Sequence, residues 1–96
     1  MKHFRTYQLA KAFYQDCSKV MVKGPMRDQF QRASLSIVLN LGEGSAKPTA
    51  KDRRKFYFIA FGSLRETQTI LDLIGHDEII HKADVLAAHL YRLCHS

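Results

Sequence analysis

The chain has 96 residues, of which 46% are hydrophobic, and only two prolines and five glycines interrupt it. This composition excludes a disordered chain and favours a single domain of long helices. Residues 1–55 carry 12 Lys and Arg against 4 Asp and Glu, whereas residues 56–96 carry 3 against 5. Such asymmetry indicates an acidic partner for one face, most simply nucleic acid, with a solubilising surface as the alternative.

The first residues lack the apolar core of a secretory signal, and no apolar run approaches the roughly 18 residues of a membrane-spanning helix. Cys17 and Cys94 stand alone, without a CxxC pair. Free thiols of this kind are typical of a reducing compartment. We therefore expect a cytoplasmic protein with no membrane partner.

Apolar spacing predicts the first two helices. Leu9, Phe13 and Cys17 recur at helical intervals in a first helix over residues 6–22. Gly24 breaks that helix, and a proline next to it suits the first turn of a second helix over residues 25–43. We expect Gly44 to end the second helix in a left-handed conformation.

Thr49 resembles the N-cap of a third helix over residues 50–74, with Asp52 three residues later. Two adjacent apolar stripes run along this helix. Together they form a larger apolar surface than packing within a single bundle would bury. We therefore predict a contact between copies of the chain at Tyr57, Phe58, Phe61 and Leu64. A short fourth helix over residues 82–93 completes an all-α, antiparallel up-down-up-down four-helix bundle spanning residues 1–96.

Two segments carry a more specific pattern. In the first, the informative residues are Gln29, Arg32, Ala33, Ser36, Ile37, Asn40, Glu43 and Gly44; in the second they are Phe56, Ala60, Gly62, Ser63 and Glu66. Together they resemble the four-helix-bundle family encoded in intervening sequences of bacterial 23S ribosomal RNA genes, which is related to the accessory protein of diversity-generating retroelements. The resemblance implies a ring-like homo-oligomer, commonly a pentamer, with a basic surface. The retroelement accessory protein binds nucleic acid and partners a reverse transcriptase.

Polar residues of this pattern fall near the predicted contact between the second and third helices. A polar amide such as that of Asn40 is costly in a core unless it is paired. We interpret the set as a hydrogen-bond network that fixes helix register, with a ligand site as the alternative. Its predicted members are Arg32, Ser36, Asn40, Glu43, Ser63 and Glu66.

A dense group of cations precedes and begins the third helix, and we call it the basic cluster: Lys47, Lys51, Arg53, Arg54 and Lys55. Positive charge opposes the dipole at a helix N-terminus, so an anionic partner would offset an unfavourable arrangement. We predict nucleic-acid contact here, extended by Arg27 on the second helix. A solvated face and a membrane surface are the alternatives.

No catalytic relay, phosphate loop or metal-ligand spacing emerges from the sequence. We expect no enzyme activity, no cofactor and no metal. The leading hypothesis is an oligomeric scaffold that binds RNA or DNA through phosphate neutralisation. The alternative is an oligomeric protein-interaction module whose basic face binds an acidic protein or a reverse transcriptase.

Overall fold

The computed structural model describes residues 2–96, with side chains from Phe4 onward. Its four helices are α1 (Lys2–Cys17), α2 (Pro25–Ser45), α3 (Ala50–Leu73) and α4 (Asp77–Cys94). Each helix packs on two others: α1 and α3 each contact α2 and α4, and the contact between α2 and α3 is the most extensive. The result is an all-α bundle measuring 40 × 22 × 18 Å, as the sequence predicts. The expectation about a signal segment begins at Met1, which lies outside the described residues.

The helices run antiparallel, and three side-chain hydrogen bonds join them at the two ends and in the middle of the bundle. The end of α1 meets the start of α4, where Lys82 Nζ donates to Asp16 Oδ2 at 2.8 Å. The start of α3 meets the end of α4, where Arg54 donates to the main-chain oxygen of Ser96 at 3.0 Å. Midway along α2 and α3, the hydroxyls of Ser36 and Ser63 share a hydrogen bond of 2.8 Å.

Helix α1 ends at Cys17, five residues before the predicted boundary. The next residues close a tighter turn, in which Val20 N donates to Cys17 O at 3.0 Å. Branching at Cβ makes valine a poorer helix former, and Val22 buries its side chain in the core from this non-helical segment. Val20 and Val22 therefore pack against the core from a turn, outside the helix.

Gly44 lies at the corner between α2 and α3, and its role there differs from the sequence prediction. Gly44 is buried inside α2, and the positive φ values belong to Gly24 and Gly75 instead. A Cβ atom at Gly44 would lie 2.8 Å from Phe56 Cβ and 3.0 Å from Tyr57 Cε1. Glycine is therefore needed here for close helix packing, not for a left-handed turn.

Helix α4 begins at Asp77 and has 18 residues, so the prediction of a short helix from residue 82 is wrong at its start. Gly75 adopts φ +73 and ends α3, with His76 N donating back to Leu71 O at 3.0 Å. Asp77 and Glu78 then occupy the first turn of α4, where negative charge suits the helix dipole. Ile79 is buried, so this extra turn also contributes to the core.

The core is built from inward-facing apolar side chains of all four helices. Tyr57 is 4% exposed and Leu64 is 0% exposed, so both belong to this core. The prediction that they form a contact between copies of the chain is therefore wrong. Phe61 packs partly against the core, and Phe58 is 52% exposed. Among the described helices, none is long and apolar enough to cross a membrane.

Candidate nucleic-acid interface

The basic cluster lies at one end of the bundle, where α2 ends and α3 begins. Lys51 and Lys55 are exposed and one helical turn apart, so they share a face of α3. Lys55 Nζ lies 3.7 Å from Asp52 Oδ1, with the lysine side chain 66% exposed and the aspartate side chain 46% exposed. An exposed pair of this length contributes little to stability and leaves the ammonium group available.

Three members of the cluster also have structural contacts. Arg53 Nη1 donates to the main-chain oxygen of Lys47 at 3.1 Å, which ties the α2–α3 loop to α3. Lys47 Nζ lies 5.1 Å from the centre of the Phe56 ring, a cation–π distance. Arg54 holds the end of α4 through Ser96. Within the basic cluster, Lys51 and Lys55 are therefore the two cations that can be removed without a loss of packing contacts.

Two further cations, Arg5 and Arg92, lie close to this end of the bundle. The antiparallel order brings the start of α1 and the end of α4 to the same end of the bundle as the start of α3, with α4 next to α3 and α1 next to α2 and α4. The pKa of His89 is lowered by burial and by the charges of Arg92 and Arg5, so both guanidinium groups lie near one imidazole. The sequence did not predict their role because Arg5 and Arg92 are far apart in the chain and come close together only in the folded bundle.

Arg27 does not extend the basic cluster. It lies in the first turn of α2, roughly 27 Å from the end of that helix at 1.5 Å per residue. The prediction that Arg27 joins the cluster is therefore wrong in its geometry. The basic surface extends across the end of the bundle instead of along α2.

The polar network is smaller than the sequence predicts. Asn40 Nδ2 donates to the main-chain oxygen and the hydroxyl of Ser36, at 2.9 and 3.0 Å, and Ser36 in turn bonds Ser63. Arg32, Glu43 and Glu66 are exposed, and within the described residues they form no ion pair or side-chain hydrogen bond. These three are therefore surface charges, and the network contains Ser36, Asn40 and Ser63.

An apolar surface flanks this network on the outer side of α2 and α3. Leu39 is 59% exposed and Ile59 is 51% exposed, with Leu35 at 39%. A Cβ atom at Gly62 would meet nothing within 4 Å, so this glycine is not required for packing inside the chain. Gly62 is exposed, so the expectation that this small residue allows close approach of two helices is wrong within the chain.

Exposed rings lie on the opposite side of α3, beside Phe58. Tyr91 is 55% exposed, and the rings of Tyr91 and His95 have centroids 4.1 Å apart. Sequence reasoning named Phe58 but not its two neighbours on α4. The spacing of four residues between Tyr91 and His95 was the available signal.

Neither thiol is poised for chemistry, and the acidic and histidine side chains are dispersed. Burial raises the pKa of Cys17 to about 12 and that of Cys94 to about 11, which keeps both as unreactive thiols near neutral pH. In the part of the chain that the structure describes, no three His, Cys, Asp or Glu side chains group together as metal ligands.

Comparison with known proteins gives one match. A family model described as 23S rRNA-intervening sequence protein matches residues 2–95. No curated protein and no solved structure matches the chain.

Proposed function

The chain belongs to the 23S rRNA-intervening sequence protein family, and from this premise we propose that it is a non-enzymatic, homo-oligomeric protein that binds RNA or DNA. The observation that carries the proposal is the concentration of cations at one end of the bundle. The basic cluster lies there together with Arg5 and Arg92, and Asp52 is the acidic residue within the cluster itself.

Electrostatics favours a polyanion as the ligand. Lys51 and Lys55 lie in the first two turns of α3, where the helix dipole opposes positive charge. Phosphate groups would relieve this unfavourable field and release condensed counterions on binding. Lysine side chains recognise phosphate as point charges and carry no base specificity. The proposed binding therefore has a strong salt dependence and little sequence preference.

Self-association is the second part of the proposal, and the exposed apolar surface of α2 and α3 supports it. Leu39 and Ile59 leave more than half of their side chains in solvent, next to the open space at Gly62. Exposed Arg32 and Glu66 flank this surface and are available for ion pairs with a second copy. A ring of five copies, as the family resemblance implies, would repeat the basic end and add weak phosphate contacts by avidity.

The mass in solution tests self-association. Light scattering coupled to gel filtration is expected to give a stable oligomer, with a pentamer as the expected size. Leu39→Arg, which puts a charge into the proposed contact, is expected to reduce the mass to that of the monomer. Leu73→Arg is the matched control because Leu73 is 69% exposed at the other end of α3. A monomeric wild type, or an equal response of both variants, would rule out this contact.

Nucleic-acid binding is tested by fluorescence anisotropy with labelled RNA and DNA over a series of salt concentrations. The expected result is a linear fall of the logarithm of affinity with the logarithm of salt concentration, with a slope of about −0.9 for each phosphate engaged on a duplex and about −0.7 on a single strand. Absence of binding at low salt would remove the proposal. An interaction with an acidic protein or a reverse transcriptase would then become the leading function.

A further inference from the structure

A strip of four exposed or half-exposed rings runs along the side of the bundle formed by α3 and α4. We call it the aromatic strip, and it contains Phe58, Phe61, Tyr91 and His95. Phe58 and Tyr91 are 52% and 55% exposed. Rings of this size bury large areas when they have a partner. Within this chain, less than half of the surface of Phe58 and of Tyr91 is buried.

Contacts between the rings hold the strip in a defined shape. The rings of Tyr91 and His95 are tilted by 31° at a centroid distance of 4.1 Å, and Phe58 meets His95 edge-on at 5.8 Å. His95 Nδ1 lies 2.8 Å from the main-chain oxygen of Tyr91. Because a carbonyl oxygen only accepts, Nδ1 carries the hydrogen in this bond. The rings are therefore ordered before any ligand arrives.

At its Phe61 end, away from the basic cluster, the strip borders an open hollow large enough for a planar group. Phe61 and Tyr91 flank this open space of about 590 Å³, in which Ala87 and Ala88 supply small side chains. Arg65 and Arg92 also line it. The guanidinium carbon of Arg65 lies 4.8 Å from the centre of the Phe61 ring, so cation and ring are already stacked.

The two ends of the strip differ in charge. Arg54 lies one turn before Phe58 on the same side of α3, and it contacts Ser96 beside His95, so the strip begins at the basic end of the bundle. At the opposite end Asp84 lines the hollow, and its Oδ1 accepts a hydrogen bond from Gln68 at 3.2 Å. A polyanion is therefore favoured over the half of the strip nearest the basic cluster.

From this combination we infer that the aromatic strip stacks on unpaired bases, so that the ligand of this surface is a single-stranded nucleic acid. The inference rests on the proposed function and names its ligand class. A duplex presents phosphates but hides its base faces, whereas a single strand offers phosphates to cations and base faces to rings. RNA and DNA share this chemistry. A purely apolar partner would offer no anionic group to the arginines around the hollow.

The test uses fluorescence anisotropy with three labelled probes of equal length: a single strand, a chain of abasic sugar-phosphates, and a duplex. Stacking on one ring is worth roughly five- to 150-fold in affinity. We therefore expect the single strand to bind at least about fivefold more tightly than the abasic chain. Each probe is made as RNA and as DNA, and the preference for unpaired bases must appear in at least one of them.

Four variants assign the effect to the strip. Tyr91→Ala is expected to weaken single-strand binding by roughly five- to 150-fold and to leave the abasic chain unchanged. Tyr91→Phe keeps the ring and is expected to bind like the wild type. Leu73→Ala, a truncation of an exposed side chain away from the strip, is the control. Tyr91→Trp adds a fluorophore to a chain without tryptophan, and stacked bases are expected to quench it.

The outcomes separate this inference from the proposed function. Equal affinity of the wild type for all three probes would overturn stacking and leave phosphate binding intact. Absence of binding to any probe would remove both. If Tyr91→Ala changes the oligomer mass while single-strand affinity stays at the wild-type level, then the strip is a contact between copies of the chain and the inference is wrong.

Discussion

Close packing at Gly44 leads to a prediction in which two glycines of one helix respond in opposite directions. Gly42 and Gly44 both lie in the last turns of α2, so the same substitution can be compared two residues apart. Alanine is a better helix former than glycine by about 1 kcal/mol in a helix interior. This term alone would stabilise both Gly42→Ala and Gly44→Ala.

Packing reverses the result at Gly44. The new Cβ atom would lie 2.8 Å from Phe56 Cβ and 3.2 Å from the main-chain oxygen of Arg53. Neither atom can move away by a rotamer change, so α2 and α3 must separate. Overpacking of this kind costs about 1–3 kcal/mol. After subtraction of the propensity gain of about 1 kcal/mol, we expect Gly44→Ala to lower the free energy of unfolding by up to about 2 kcal/mol.

Nothing lies within 4 Å of a Cβ atom at Gly42, so Gly42→Ala is expected to raise the free energy of unfolding by about 0.5–1 kcal/mol. Thermal and urea unfolding followed by circular dichroism measure both variants. The protein concentration is kept fixed because association contributes to stability. A change of 1 kcal/mol shifts the melting temperature of a domain this size by about 4–8 °C. Equal stabilisation by the two substitutions would refute the close contact between α2 and α3.

Two further predictions concern groups inside the bundle. Asn40→Ala removes the two hydrogen bonds to Ser36 and is expected to lower the urea midpoint by an amount equivalent to about 1 kcal/mol, with an unchanged midpoint as the contrary result. Burial, and secondarily the charge of Asp16, raises the pKa of Cys17 from 9.0 to about 12. Because the unfolded thiol ionises first, stability is expected to fall as pH rises from about 9 towards 12, and a thiol reagent at pH 8 is expected to label Cys17 only as fast as the chain unfolds. Rapid labelling of the folded protein would contradict the burial.

Helix number and order are predictable from this sequence because the apolar periodicity of α2 and α3 is long and strong. The errors lie where periodicity and local geometry diverge. Val20 continues the apolar spacing of α1 although the chain has left the helix, because a turn can pack the same side chain against the core. The start of α4 was missed although Ile79 extends its buried stripe four residues before Ala83, because the charged pair Asp77 and Glu78 is equally typical of a connecting turn and of a first helical turn.

The candidate site was predictable only where its residues are neighbours in sequence. The basic cluster falls within residues 47–55, so local composition reveals it. Arg5 and Arg92 come to the same end through the antiparallel packing of α1 and α4, which a single sequence does not specify residue by residue. The burial of Tyr57 and exposure of Phe58 depend on the rotation of α3 in the bundle, and two adjacent apolar stripes leave that rotation undecided.

A variant that changes Arg53, Arg54 and Lys55 together would remove structural contacts as well as charge. The structure indicates a cleaner variant, because Arg53 and Arg54 hold the α2–α3 loop and the end of α4. Lys51→Gln with Lys55→Gln removes two charges from exposed side chains. Lys11→Gln with Lys23→Gln removes the same charge from exposed positions on α1 and in the loop after it.

The most direct test of the account is the salt dependence of RNA and DNA affinity for these two charge-matched variants. For Lys51→Gln with Lys55→Gln, we expect weaker binding at low salt. We also expect a slope reduced by about 1.8 on a duplex, or about 1.4 on a single strand, for each copy of the chain in contact. Helicity and oligomer mass should remain those of the wild type. For Lys11→Gln with Lys23→Gln, the slope should stay at the wild-type value. If both variants lose the same affinity and slope, then binding follows net charge alone and the basic end of the bundle is not a nucleic-acid interface.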